Sequence, residues 1–85
     1  MRDADLRPAL VALEELERRR AELPAPPPPA AREWSTVSDV AQHLDTASEG
    51  AKGLLASAIV AGYVQEHLDW PGYYRLTRRG RAVLG

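Results

Sequence analysis

The stretch Leu44-Asp45-Thr46-Ala47-Ser48-Glu49-Gly50-Ala51-Lys52-Gly53-Leu54-Leu55-Ala56-Ser57-Ala58-Ile59-Val60-Ala61-Gly62-Tyr63-Val64 decides the fold. Asp45-Thr46-Ala47 is turn chemistry, and Ala51, Leu54, Leu55, Ala58 and Ile59 recur at the three- and four-residue spacing of one helix face. Ser48 or Thr46 is expected to cap this helix, with Glu49 in its first turn. Gly62 stands where a left-handed residue past the C-cap would end it. Just upstream, Val40, Ala41 and Leu44 form the apolar face of a shorter helix, with Ser38 as its expected N-cap and Val37 as a staple residue. Residues 34–37 read as a short edge strand or extended lead-in.

Downstream the period changes from 3.6 to 2. Residues 63–67 open a strand in which Val64, Glu66 and Leu68 alternate against Tyr63, Gln65 and His67. Asp69-Trp70-Pro71-Gly72 is a turn, since proline presets φ and glycine accepts a positive one. Tyr73-Tyr74-Arg75-Leu76 returns as the second strand. Thr77 caps a final helix over 78–84, whose Ala82 and Val83 or Leu84 are expected to pack inward.

Upstream, Leu6, Leu10, Leu13 and Leu16 form a helical stripe, with Ala9 and Ala12 nearby. Pro8 fits best in a first turn, so the helix is expected to begin near Asp5 or Leu6 and to stop at Pro24. Its stripe suits either a core helix or a dimerisation helix, which makes Leu6, Leu10 and Leu13 candidate partner contacts. Glu14, Glu15, Glu17 and Glu22 surround Arg18-Arg19-Arg20, which reads as an internally paired, solvated face. Pro24-Ala25-Pro26-Pro27-Pro28-Pro29 reads as a stiff polyproline II spacer, with a second use as a ligand for an aromatic groove. The expected organisation is an N-terminal helix over 1–23, a proline-rich linker over 24–33 and a domain over 34–85.

The chain has 85 residues, 45% of them hydrophobic, which is enough for one small globular domain. It has no cysteine, which excludes disulfides and thiolate metal sites and fits a reducing cytoplasm. No apolar run approaches the ~20 residues of a membrane span. The opening Met1-Arg2-Asp3-Ala4-Asp5 leads into charged helical sequence rather than a secretory core, so a cytoplasmic location is expected. The formal net charge is −1, so attraction to nucleic acid must come from a local patch. Arg75, Arg78, Arg79 and Arg81 cluster near the C-terminus as such a patch.

The order of helix, turn, helix and hairpin resembles the winged helix-turn-helix of MarR-like and PadR-like bacterial transcription regulators. Leu44, Ser48, Leu55, Ala61, Gly62, Tyr63 and Val64 follow that family's helix-turn-helix pattern. Tyr74, Leu76, Thr77 and Gly80 follow its Tyr-x-Leu-Thr-x-x-Gly hairpin return. The resemblance covers about 50 residues. It implies an α+β, mostly α fold: a three-helix core, a β-hairpin wing and a short C-terminal helix. It also implies a small regulator that binds double-stranded DNA; no cofactor is expected, and the short chain with its first-helix stripe is expected to form a homodimer.

In that family the second helix of the pair enters the major groove and the wing approaches backbone or minor groove. Carried onto this chain, Ser48, Glu49, Gly50, Lys52, Gly53 and Ser57 form the groove-facing surface, and Arg75, Arg78, Arg79 and Arg81 meet phosphates. Of the helix residues only Lys52 belongs to the side chains that read bases well. An alternative use is a protein–protein interaction module, docking through the small-residue face of that helix or through Trp70. Enzyme chemistry is not expected. Ser48, Ser57, His43 and His67 lack a nucleophile elbow, metal-ligand spacing or a phosphate-cradling glycine loop.

Overall fold

A computed structural model describes residues 3–21 and 34–85. The expected proline-rich linker, and the helix stop at Pro24, lie outside the described residues. The elements are α1 (Asp3–Ala21), β1 (Ser35–Thr36), α2 (Val37–Leu44), α3 (Ser48–Val60), β2 (Val64–Glu66), β3 (Tyr73–Leu76) and α4 (Arg78–Leu84). The fold is therefore α+β and mostly helical. Among the described residues, four helices pack with one small antiparallel sheet ordered β1-β3-β2. None of these helices is long and apolar enough to cross a membrane.

Helix α1 runs from Asp3, earlier than expected, so Pro8 lies inside it. The proline removes the N–H that would bond to the Ala4 carbonyl. Burial of Leu6, only 1% exposed, holds the flanking turn helical regardless. Leu6, Ala9, Leu10, Ala12 and Leu13 are all buried, and α1 packs against α2, α3 and α4. The stripe is thus the hub of this chain's own core. That corrects the assignment of Leu6, Leu10 and Leu13 as partner contacts, since a side chain with no exposed surface has none to offer. From α2 and α3 the core takes Val40, Ala41, Ala51, Leu55 and Ala58, with Leu54 and Ile59 partly buried beside them. From the sheet it takes Val64, Tyr74 and Leu76.

Helix α2 is capped by Thr36, not Ser38. The Thr36 hydroxyl accepts the Asp39 N–H at 3.2 Å, and the Asp39 carboxylate accepts the Thr36 N–H at 3.0 Å. This reciprocal box satisfies two donors at once, whereas Ser38 alone offers one acceptor. Asp45 ends the helix in the left-handed region at φ 52. The Thr46 N–H reaches the Ala41 carbonyl at 3.0 Å, which closes a Schellman turn. Helix α3 starts behind Ala47, whose side chain makes no capping bond, so neither Ser48 nor Thr46 is its cap. Gly62 ends it as expected, at φ 85, with the Tyr63 N–H donating to the Ala58 carbonyl at 3.0 Å.

The hairpin pairs Val64 with Leu76, Gln65 with Arg75 and Glu66 with Tyr74. On the other edge, Ser35 pairs with Tyr74 and Thr36 with Tyr73. Leu68 does not continue the face of Val64. Strand β2 ends at Glu66, and Leu68 stands 97% exposed in the turn. Thr77 caps α4 by accepting the Gly80 N–H at 3.1 Å, and its hydroxyl donates to the Gly62 carbonyl at 2.6 Å. In α4, Val83 and Leu84 pack on the core, but Ala82 is exposed, contrary to expectation.

Two charged side chains join α1 to the sheet and its neighbours. Arg20 donates to the Trp34 carbonyl, to the Ser35 hydroxyl at 2.5 Å and to the Leu16 carbonyl at 3.3 Å. Burial lowers its pKa, an effect opposed by Glu17 and Asp39. Glu17 accepts the Leu76 N–H at 3.3 Å through Oε1 and pairs with Arg81 at 2.8 Å through Oε2. Leu76 faces Val64 between the ladder bonds made at Thr77 and His67. Its N–H therefore points away from β2, toward the carboxylate. Arg18 and Arg19 pair with Glu15 on the exposed side, as their spacing suggests.

Candidate functional site

Helix α3 buries Ala51, Leu55 and Ala58, and a 3.6-residue period then turns the intervening positions outward. Ser48, Glu49, Gly50, Lys52 and Gly53 are exposed there, and Ser57 is half-buried. The first turns of α3 face the hairpin across an open groove of about 450 Å³. Ser48, Glu49 and Lys52 line one side of it, and Glu66, Pro71 and Tyr74 the other. Two carboxylates thus confront one ammonium in the groove.

Tyr74 sits at the groove with only 7% of its surface exposed. Burial, the charge of Glu66 and a hydrogen bond to that carboxylate all raise its phenol pKa above the ordinary 10.0. The folded state therefore holds this proton more tightly than the unfolded chain does. Stability is at its plateau below pH ~10 and falls as pH rises above it. In alkaline denaturation series, Tyr74→Phe is expected to flatten that fall. An unchanged slope in the variant assigns the alkaline loss to another group.

Gly53 has open space where a Cβ would stand. It lies inside α3, so Gly53→Ala is expected to stabilise the fold by roughly 0.5–1 kcal/mol through helix propensity. A thermal melt in which the variant is less stable than the parent contradicts that account. Gly50 is tighter, with the Thr46 hydroxyl 3.3 Å from the corresponding position.

The four C-terminal arginines are differently engaged. Half-buried Arg75 holds its guanidinium 4.5 Å over the Trp34 ring. Arg79 lies 5.7 Å over the Tyr63 ring but remains exposed. Arg81 is tied to Glu17, and Arg78 is exposed.

Trp70 is 46% exposed but not isolated. Its ring centroid lies 4.4 Å from that of His67 and 6.4 Å from that of Tyr73. His67 in turn lies 4.6 Å from Trp34. Sequence reasoning singled out Trp70 alone. Trp34 and His67 are 33 positions apart, and only strand pairing brings them together. Among the described residues, no three His, Asp or Glu side chains are grouped to hold a metal ion. Compared with models of protein families, with curated proteins and with solved structures, the chain finds no match.

Proposed function

We propose that this chain is a winged helix-turn-helix module that binds double-stranded DNA through α3 and the adjoining hairpin. The element order and the β1-β3-β2 sheet are compatible with that layout. The observation that carries the reading is the outward face of α3. Its small polar residues and Lys52 stand clear of the core, beside a hairpin that extends the same surface. Gly53 leaves the helix backbone open to close approach by a sugar–phosphate strand. Binding of this kind is dominated by backbone contacts, with little base readout.

Lys52, Arg78, Arg79 and Arg81 are the exposed cations in this reading, and of these Arg81 is paired with Glu17. Neutralising two or three phosphates gives log K a slope of about −2 to −3 against log salt. Fluorescence anisotropy with a labelled duplex at several salt concentrations measures it. Arg78→Ala with Arg79→Ala is expected to flatten the slope by about 2. Absence of any duplex affinity at low salt ends the DNA reading. Retention of the full slope in the double variant removes the phosphate contacts from these two arginines.

A second reading, docking of a protein partner, is favoured by a separate observation. Arg75 and Arg81 are engaged within the chain, and Glu49 and Glu66 make the groove beside α3 net acidic. Pull-down with and without Trp70→Ala tests it, and undiminished partner recovery counts against a role for that ring.

A further inference from the structure

The aromatic run on the sheet is unused by the DNA reading, and it is built rather than incidental. Trp34, His67, Trp70 and Tyr73 succeed one another at centroid distances of 4.6, 4.4 and 6.4 Å. Their planes are tilted by 58°, 34° and 62°, so the surface has ridges and slots rather than a flat plate. Buried Tyr74 and Leu76 alternate with Tyr73 and Arg75, which puts the latter pair on the outer face of β3. The turn that presents Trp70 is held from within. His67 Nδ1 accepts the N–H groups of Asp69 at 3.0 Å and Trp70 at 3.3 Å, and Glu66 accepts that of Gly72 at 2.9 Å. The rings are thus preorganised, which lowers the ordering cost of binding.

Charge narrows the occupant. A stacking platform for nucleic acid needs a positive track for the phosphates. Here, among the described residues, the guanidinium in the run already covers Trp34, and Asp69 stands exposed in the turn. A neutral ligand with stiff apolar rings suits this surface. Proline-rich sequence in polyproline II form is such a ligand, and it enters aromatic-lined grooves with little entropy to lose. This chain carries such a sequence, Pro24-Ala25-Pro26-Pro27-Pro28-Pro29, followed by Arg32, whose charge complements Asp69 at the turn.

We propose that the outer face of the sheet, centred on Trp34, Trp70 and Tyr73, binds the 24–29 proline segment of a second copy of this chain. Self-association then runs through proline and aromatic rings rather than through the leucines of α1, which the core has consumed. The contact is independent of α3, so it stands or falls apart from DNA binding.

Two complementary full-length variants test it. A receiver carries serine at Pro26, Pro27, Pro28 and Pro29 and keeps all its rings; a donor carries Trp70→Ala and keeps all its prolines. Trp70 lies outside the core, and circular dichroism verifies both folds. Unlabelled donor added to labelled receiver is expected to shift the Trp34 and Trp70 indole N–H resonances in a saturable way. Adding Trp70→Ala to the receiver is expected to weaken that association roughly tenfold or more. The parent chain is expected to gain mass with concentration, whereas receiver and donor alone remain monomers. Absence of indole shifts up to about 1 mM donor, or a parent chain still monomeric at that concentration, overturns the proposal. Oligothymidylate shifting the same indoles, with the donor silent, overturns the charge argument and with it the assigned ligand.

Discussion

Gly80→Ala is expected to destabilise the protein by about 3 kcal/mol or more, through overpacking against backbone. A Cβ built on Gly80 would lie 2.1 Å from the Tyr63 carbonyl oxygen and 3.2 Å from Leu76 Cδ2. That oxygen is not free to retreat, because it accepts the Thr77 N–H at 3.0 Å. Thr77 is also bonded to the neighbouring Gly62 carbonyl and to the Gly80 N–H itself. Helix propensity alone argues the opposite sign, since alanine is favoured over glycine by about 1 kcal/mol inside a helix. The contest is uneven: a backbone collision outweighs a propensity term. In a domain of this size the melting temperature should fall by more than ~10 °C. A melting temperature equal to or above the parent's would mean that α4 slides away from the end of α3 at little cost. The same close approach accounts physically for a glycine at the end of the Tyr-x-Leu-Thr-x-x-Gly sequence.

Leu10→Ala is expected to cost about 2–5 kcal/mol, the range for removing a large buried aliphatic side chain. Leu10 has no exposed surface and lies midway along the stripe that α1 buries. The concentration dependence is as informative as the size. With α1 in the core of its own chain, the loss should be the same at micromolar and at near-millimolar protein. A helix stabilised by a partner would instead give a difference between parent and variant that changes with concentration. Chemical denaturation of both proteins at two concentrations measures this. A variant of parental stability, or a loss confined to dilute protein, removes α1 from the core.

Much of the local structure was legible. The strand over 73–76, the cap at Thr77, the helix over 78–84 and the helix stop at Gly62 all rest on short-range chemistry. A hydroxyl before a helix, a proline–glycine turn and a left-handed glycine each act within a few residues. The misreadings were also local, and each has a competing partner. Ser38 lost to Thr36 because Asp39 completes a reciprocal box with the latter. The alternation at Leu68 failed because β2 stops at Glu66 and the chain enters the turn. Pro8 was absorbed into α1 because burial of the flanking leucines outweighs one missing hydrogen bond.

The candidate site was less legible than the fold. Lys52 and the small residues of α3 could be assigned outward from periodicity alone. The fate of the arginines could not. Arg81 meets Glu17 across 64 positions, and Glu17 meets the Leu76 N–H across 59. Arg20, read as part of a solvated triplet, instead holds Trp34 and Ser35 against the end of α1. Its two neighbours behave as their spacing suggests, because Glu15 lies within one helical turn of both.

The amino-acid order by itself determined where helices and strands begin and end, to within a residue or two over most of the described chain. It also determined which helix faces are apolar. Those properties arise from interactions spanning a handful of positions. Tertiary structure alone decided which charges are spent and which remain available, that the leucines of α1 are core, and that Trp34, His67, Trp70 and Tyr73 form one surface. Each of those outcomes depends on strand register and helix packing. Contacts between residues distant in sequence exist only once the intervening chain has folded.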